Sequence, residues 1–117
     1  MPRRAVPNRF VADVGAAAPF FTDVLGFAVG MEAEGITTFV SPDQRTTQIS
    51  VFTADPSGLE PAYSVEVADV DAAHARALAA GCEVVYALRD EPWGVRRFFV
   101  REPGGGIANV LQHKEQP

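Results

Sequence analysis

Hydrophobic positions along the chain follow two rhythms. Around residues 5–12 and 61–68 they alternate with polar ones, the spacing of a strand with one buried face. After each run stands an aspartate, Asp13 or Asp69, whose carboxylate can accept backbone N–H bonds as a helix N-cap. Apolar side chains then recur every three or four residues: Phe20, Phe21, Val24 and Leu25, and later Val70, Ala73, Ala77 and Leu78. That spacing is the stripe of a helix packed on a sheet. Gly26 and Gly81 follow, suited to the residue just past a helix end. Three β segments complete each set, near 27–32, 36–40 and 46–53, then near 82–88, 95–101 and 106–112. Turn signals at Pro42-Asp43 and Pro103-Gly104-Gly105-Gly106 divide the last two of each set. Two prolines interrupt the pattern. Pro19 predicts that the first helix either begins near it or kinks there. Pro7, inside the first strand, predicts an edge strand or a bulge.

The two sets also match in sequence. Val11-Ala12-Asp13-Val14-Gly15-Ala16-Ala17 recurs as Val67-Ala68-Asp69-Val70-Asp71-Ala72-Ala73, with only Gly15 and Asp71 differing. Leu25-Gly26-Phe27-Ala28-Val29 faces Ala80-Gly81-Cys82-Glu83-Val84, and Phe39-Val40-Ser41-Pro42 faces Phe99-Val100-Arg101-Glu102-Pro103. Three matches in one order imply an internal repeat. The expected fold is α+β, built from tandem βαβββ modules over residues 1–117 as one domain. Module one covers about 5–53, the linker about 54–60, and module two about 61–113. Paired, the modules would form a cupped mixed sheet around a ligand cavity.

Composition narrows this picture. A chain of 117 residues with 47% hydrophobic and 21% charged residues suits one ordinary globular core. A net charge of -5 argues against a nucleic-acid backbone as partner and mildly favours a cationic ligand. Cys82 stands alone, cannot form an intrachain disulfide, and is expected as a buried structural thiol. No apolar stretch approaches the ~20 residues that span a bilayer, and a cytoplasmic protein is expected.

The segments Asp13-Val14 and Phe20-Phe21-Thr22-Asp23-Val24-Leu25-Gly26-Phe27, with the paired modules around them, resemble the vicinal oxygen chelate superfamily. That group includes glyoxalase I, extradiol dioxygenases and the bleomycin-resistance binding proteins. The run from Glu91-Pro92-Trp93-Gly94 to Glu102-Pro103-Gly104 looks most like the closing segment of the bleomycin-resistance type. In the family's enzymes a divalent metal is held by His, Glu or Gln side chains. The resemblance carries those ligand positions onto Val6, Gln48, Ala62 and Asn109. Two of these lack any donor atom and two offer only amide oxygens, a poor set for a divalent ion. Neither a metal nor another cofactor is therefore expected.

Without a metal, the hollow reads as an apolar site with polar handles. Residues two apart on a strand share a face, so Asn8 and Phe10 go with Val6, and Ser50 and Phe52 with Gln48. Likewise Ser64 and Glu66 go with Ala62, and Leu111 with Asn109. Glu66 could hold a cationic ligand or act as a base. His74 is expected as an exposed helix residue, and His113 as a solvated residue near the mouth of the hollow. The resemblance gives Trp93 a ligand-lining role, since its ring can stack on planar or cationic groups. The expected function is thus metal-free binding, or sequestration, of a small planar or cationic molecule by a homodimer. The alternative is a lyase, isomerase or dioxygenase of the same superfamily, metal-dependent or using Glu66 as base.

Overall fold

A computed structural model describes residues 2–114. The chain divides into two compact units, Val6–Glu60 and residues 61–114, the latter joined by residues 2–5. Each unit runs in the order strand, helix, and three strands, so the tandem βαβββ architecture is observed.

The first unit contains most of β1 (Pro2–Phe10), then α1 (Val14–Pro19), β2 (Ala28–Ala33), β3 (Ile36–Val40) and β4 (Gln48–Phe52). β1 pairs parallel with β4, and β3 lies antiparallel between β4 and β2. The ladder from β1 to β4 begins at Asn8, so Pro7 has no bond in it to lose. Asp13 caps α1 by accepting the Ala16 N–H at 3.2 Å. The helix begins at Val14 and not at Pro19. At Pro19 its hydrogen bonding widens into a π turn over Phe20–Val24, where the Leu25 N–H reaches the Phe20 carbonyl at 3.1 Å. Proline removes a donor from the ladder, and a π turn absorbs such a break.

The apolar stripe begins with the helix and ends at this turn. Val14, Ala17, Ala18 and Phe21 face the core with Phe39 and Val51, while Phe20, Val24 and Leu25 are exposed. The stripe expected at Phe20, Phe21, Val24 and Leu25 is therefore corrected to positions 14, 17, 18 and 21, which keep the helical spacing of three and four.

The second unit contains β5 (Tyr63–Val67), α2 (Val70–Ala79), β6 (Val84–Asp90), β7 (Val95–Arg101) and β8 (Ile107–His113). β5 pairs parallel with β8, and β7 lies antiparallel between β8 and β6. Asp69 caps α2 through the Ala72 N–H at 3.0 Å. At the other end the Cys82 N–H bonds to the Ala77 carbonyl and the Gly81 N–H to Leu78, with Gly81 at φ 76°. This reciprocal pair is a Schellman stop, and it needs a residue that tolerates positive φ. α2 buries Val70 against Val67 and Phe98, with Ala73 and Ala77 alongside. Leu78, expected on that stripe, is exposed. Cys82 is half-buried. His74 is half-buried as well, its ring edge-on to Phe98 at 5.0 Å, so the expected exposed residue packs under the helix instead. Among the described residues no helix is long and apolar enough to cross a membrane.

Candidate functional site

Each sheet has one face covered by its helix and one without a helix. Register decides which side chains take the second. In the first unit Asn8 pairs with Ser50 and Phe10 with Phe52, while Thr38 and Val40 of β3 pair with Ser50 and Gln48. Phe39 and Val51, between them in sequence, point into the helix-side core. Asn8, Phe10, Gln48, Ser50 and Phe52 therefore share the helix-free face. Phe10 stacks on Phe52 at 5.0 Å, the Thr38 and Ser50 hydroxyls bond at 2.9 Å, and Asn8 and Ser50 are buried. The Gln48 Nε2 donates to the Arg45 carbonyl at 2.8 Å.

In the second unit two rows of side chains cross the sheet from β5 to β6. One runs Ser64, Asn109, Phe99, Tyr86; the next runs Glu66, Leu111, Arg97, Arg89. Phe98 and Val110 point the other way, into the α2 core. Ser64, Glu66, Asn109 and Leu111 thus share one face here too. The Asn109 Nδ2 donates to the Ser64 hydroxyl at 3.0 Å, while its Oδ1 is buried with no hydrogen-bond partner among the described residues.

Tyr86 and Arg89 are three residues apart, and plain alternation would send them to opposite faces. The β6–β7 register shifts between them, and a bulge in one strand of a pair has this effect. Between β6 and β7 lies Glu91-Pro92-Trp93-Gly94. The Gly94 N–H bonds to the Glu91 carbonyl at 3.2 Å, the Glu91 N–H to Val95 at 2.7 Å, and Gly94 has φ 92°. This is a three-residue hairpin loop closed by a left-handed glycine. Proline opens the turn, and Trp93 stands at its tip.

The centre of the face is Arg97. Its Nε lies 2.6 Å from Glu91 Oε2, and both side chains are almost wholly buried. The same Oε2 accepts the Tyr86 hydroxyl at 2.7 Å, and Arg89 Nε lies 3.0 Å from Oε1. The Arg97 guanidinium sits over three rings, with its carbon 4.7 Å from the Phe99 centroid, 5.0 Å from Trp93 and 5.2 Å from Tyr86. A buried guanidinium needs its charge met and its donors satisfied, and this cluster supplies a carboxylate and three π faces. Trp93 itself is 51% exposed. The result is an open indole backed by a fixed cation.

Beside it, Glu66 lies 3.1 Å from Arg4 Nε through one oxygen and 2.9 Å from His113 Nδ1 through the other. His113 is half-exposed at the end of β8, opposite Val95, and the Lys114 N–H binds the Gly94 carbonyl at 2.9 Å. The imidazole therefore stands next to the Trp93 loop. It ends a strand and hydrogen-bonds Glu66, and it is exposed as expected. Glu66 already has two partners, the Arg4 guanidinium and the His113 ring, which weakens the expectation that it receives a cationic ligand.

Sequence reasoning missed Arg4, Tyr86, Arg89, Glu91, Arg97 and Phe99. Arg97 and Phe99 were within reach, two apart on a strand that turns Phe98 into the core. Glu91 and Arg89 were not, because a bulge leaves no mark in the sequence.

A family profile, that of the Glyoxalase/Bleomycin resistance protein/Dioxygenase superfamily, matches residues 5–110. The chain belongs to this superfamily. No curated protein matches its sequence. Among solved structures, a superfamily member from Vibrio splendidus is 22% identical at a TM-score of 0.75, covering 96% of this chain and 99% of that one. A structure described as an NAD-dependent benzaldehyde dehydrogenase from Legionella pneumophila is 12% identical at a TM-score of 0.78, with 94% and 99% covered. Methylmalonyl-CoA epimerase from Mycobacterium tuberculosis is 20% identical at 0.69, with 97% and 88% covered. At these identities the likeness establishes the fold.

The resemblance carries the metal-ligand positions of the superfamily's metal-dependent enzymes onto Val6, Gln48, Ala62 and Asn109, and Val6 and Ala62 have no oxygen or nitrogen donor in their side chains. Val6 is buried and presents only carbon. Of the two amides, Gln48 donates to the Arg45 carbonyl and Asn109 donates to Ser64. Neutral amides and hydrocarbon do not fit a catalytic divalent ion.

Proposed function

We propose that the chain binds a small planar organic molecule without a metal, on the helix-free face of the second unit, with Trp93 as the stacking surface. The observation that carries this reading is the half-exposed indole laid on the buried Arg97, itself fixed by Glu91. A ring held in place before the ligand arrives loses little freedom on binding, which is how rigid aromatic anchors gain affinity. Ser64, Asn109, Glu66 and His113 stand on the same face as polar handles. In this reading the protein resembles the bleomycin-resistance binding type, sequesters its ligand as a cytoplasmic homodimer, and leaves it chemically unchanged.

Trp93 is the sole tryptophan, so its emission reports on the site directly. Titration with planar aromatic compounds should quench that emission and raise the melting temperature, and Trp93→Ala should abolish the rise in melting temperature. A panel of such compounds that changes neither would overturn the reading.

One contact favours a second reading, acid–base chemistry. Glu66 holds His113 through Nδ1 at 2.9 Å, which orients the other ring nitrogen outward as a base. Turnover of a bound carbonyl compound, followed as proton–deuteron exchange by NMR, should then fall about 100-fold in Glu66→Gln.

A further inference from the structure

Resting on that binding reading, we infer that the ligand is an anion: an aromatic ring bearing a carboxylate, phosphate or sulfonate, stacked on Trp93 and held by Arg89.

The chain carries -5 overall, yet this face runs the other way. Three guanidiniums, Arg4, Arg89 and Arg97, stand among two carboxylates, Glu66 and Glu91, and His113 adds a further charge when protonated. Both carboxylates are committed. Glu91 accepts from Arg97 and Tyr86 and pairs with Arg89 at 3.0 Å, and its side chain is only 3% exposed. Glu66 lies between Arg4 and His113. Among the described residues of this face, a cationic ligand would find no carboxylate without a partner.

It would also meet repulsion at the stacking surface. The buried Arg97 guanidinium covers one face of the Trp93 ring at 5.0 Å, so a ligand stacks on the open face opposite a fixed positive charge. Across one ring's thickness, in a site partly shielded from water, like charges still repel and opposite charges attract. The guanidinium also draws on the negative π face that would otherwise attract a cation.

Arg89 supplies the specific contact. It is the most exposed of the three, at 58% against 28% for Arg4 and 5% for Arg97. Among the described residues it forms its ion pair through Nε, with its guanidinium carbon 6.0 Å from the Tyr86 ring. With that side chain more than half exposed, its guanidinium offers a planar fork, the geometry that takes a carboxylate or phosphate through two hydrogen bonds.

Three probes sharing one ring system separate the alternatives: 2-naphthoate, 2-naphthol and 2-naphthyltrimethylammonium, titrated against the full chain by calorimetry at low salt. The expected result is at least tenfold tighter binding of 2-naphthoate than of the trimethylammonium compound, with 2-naphthol between. Arg89→Gln should weaken 2-naphthoate about tenfold and leave 2-naphthol unchanged. Arg89→Lys, which keeps the charge but not the fork, should fall between. Substituting 2-naphthyl phosphate or 2-naphthalenesulfonate for the carboxylate identifies which anion fits the fork best. Equal or tighter binding of the cation, or an unchanged 2-naphthoate affinity in both Arg89 variants, overturns the inference while leaving the stacking surface intact. Binding by none of the three probes overturns the inference together with the reading beneath it.

Discussion

A guanidinium removed from water is tolerated only where a counter-charge and hydrogen-bond acceptors replace the solvent. At Arg97 that replacement is Glu91 at 2.6 Å, supported by three aromatic rings. Removing the carboxylate's charge strands the cation, so Glu91→Gln is expected to cost about 3 kcal/mol of stability, as buried pairs do when one partner is lost. Urea unfolding measures it; a loss below about 1 kcal/mol, typical of surface pairs, would mean that water reaches the pair. The same variant should loosen the Trp93 ring, visible as a rise in its emission anisotropy decay. Nothing in the linear sequence announces this pair. Glu91 and Arg97 lie on either side of a turn, among other charges, and alternation alone assigns Arg97 to a face without naming what meets it. Glu66 illustrates the same limit, since its partner Arg4 sits at the far end of the chain.

At the scale of elements, the sequence was more legible. Asp13 and Asp69 cap the helices as their position suggested, and the strand segments fall within a few residues of where alternation put them. Propensity and capping act locally, so a short stretch carries its own instructions. The exception, α1, shows where local reading stops: the π turn after Pro19 changes how many residues make a turn, and Val24 and Leu25 leave the apolar stripe there. The stop at Gly81 should behave as its φ of 76° dictates. Gly81→Ala is expected to lower stability by about 1 kcal/mol, because a Cβ is strained at positive φ; chemical denaturation would show it.

The start of α2 carries a second element-scale device. A cleft of about 430 Å³ there is lined by Asp71, Asp90, Arg96, Gln112 and Lys114. Arg96 reaches Asp71 at 3.0 Å and Asp90 at 3.4 Å, and Lys114 reaches Asp90 at 3.0 Å. The hydrogen bond from Arg96 holds the Asp71 carboxyl below its usual range, and that from Lys114 does the same for Asp90. Depressed carboxylate pKa values stabilise the fold above the ordinary value and lose that contribution as pH falls through the folded value. Arg96→Gln should therefore lower the melting temperature near neutrality, and the gap to the parent should close as the pH falls below 3.8. High salt should narrow it as well, because these groups are exposed.

For the whole molecule, the fold carries less information than the side chains on it. The superfamily match settles the architecture, and the four positions onto which the resemblance carries the metal ligands, Val6, Gln48, Ala62 and Asn109, hold carbon and neutral amides. Added zinc, manganese or nickel at moderate excess is expected to leave the melting temperature unchanged, since only an ion bound to the native state raises it; an upward shift of several degrees would refute that. The hairpin bearing Trp93 has a double in Glu102-Pro103-Gly104-Gly105, where the Gly105 N–H bonds to the Glu102 carbonyl at 2.9 Å, the Glu102 N–H to Gly106 at 2.8 Å, and Gly105 has φ 95°. One bend displays an indole at its third place and the other displays nothing but hydrogen, so that place owes no duty to the backbone. Under the proposed stacking role, a single codon change at position 93 re-aims the chain toward a different guest while its architecture stands.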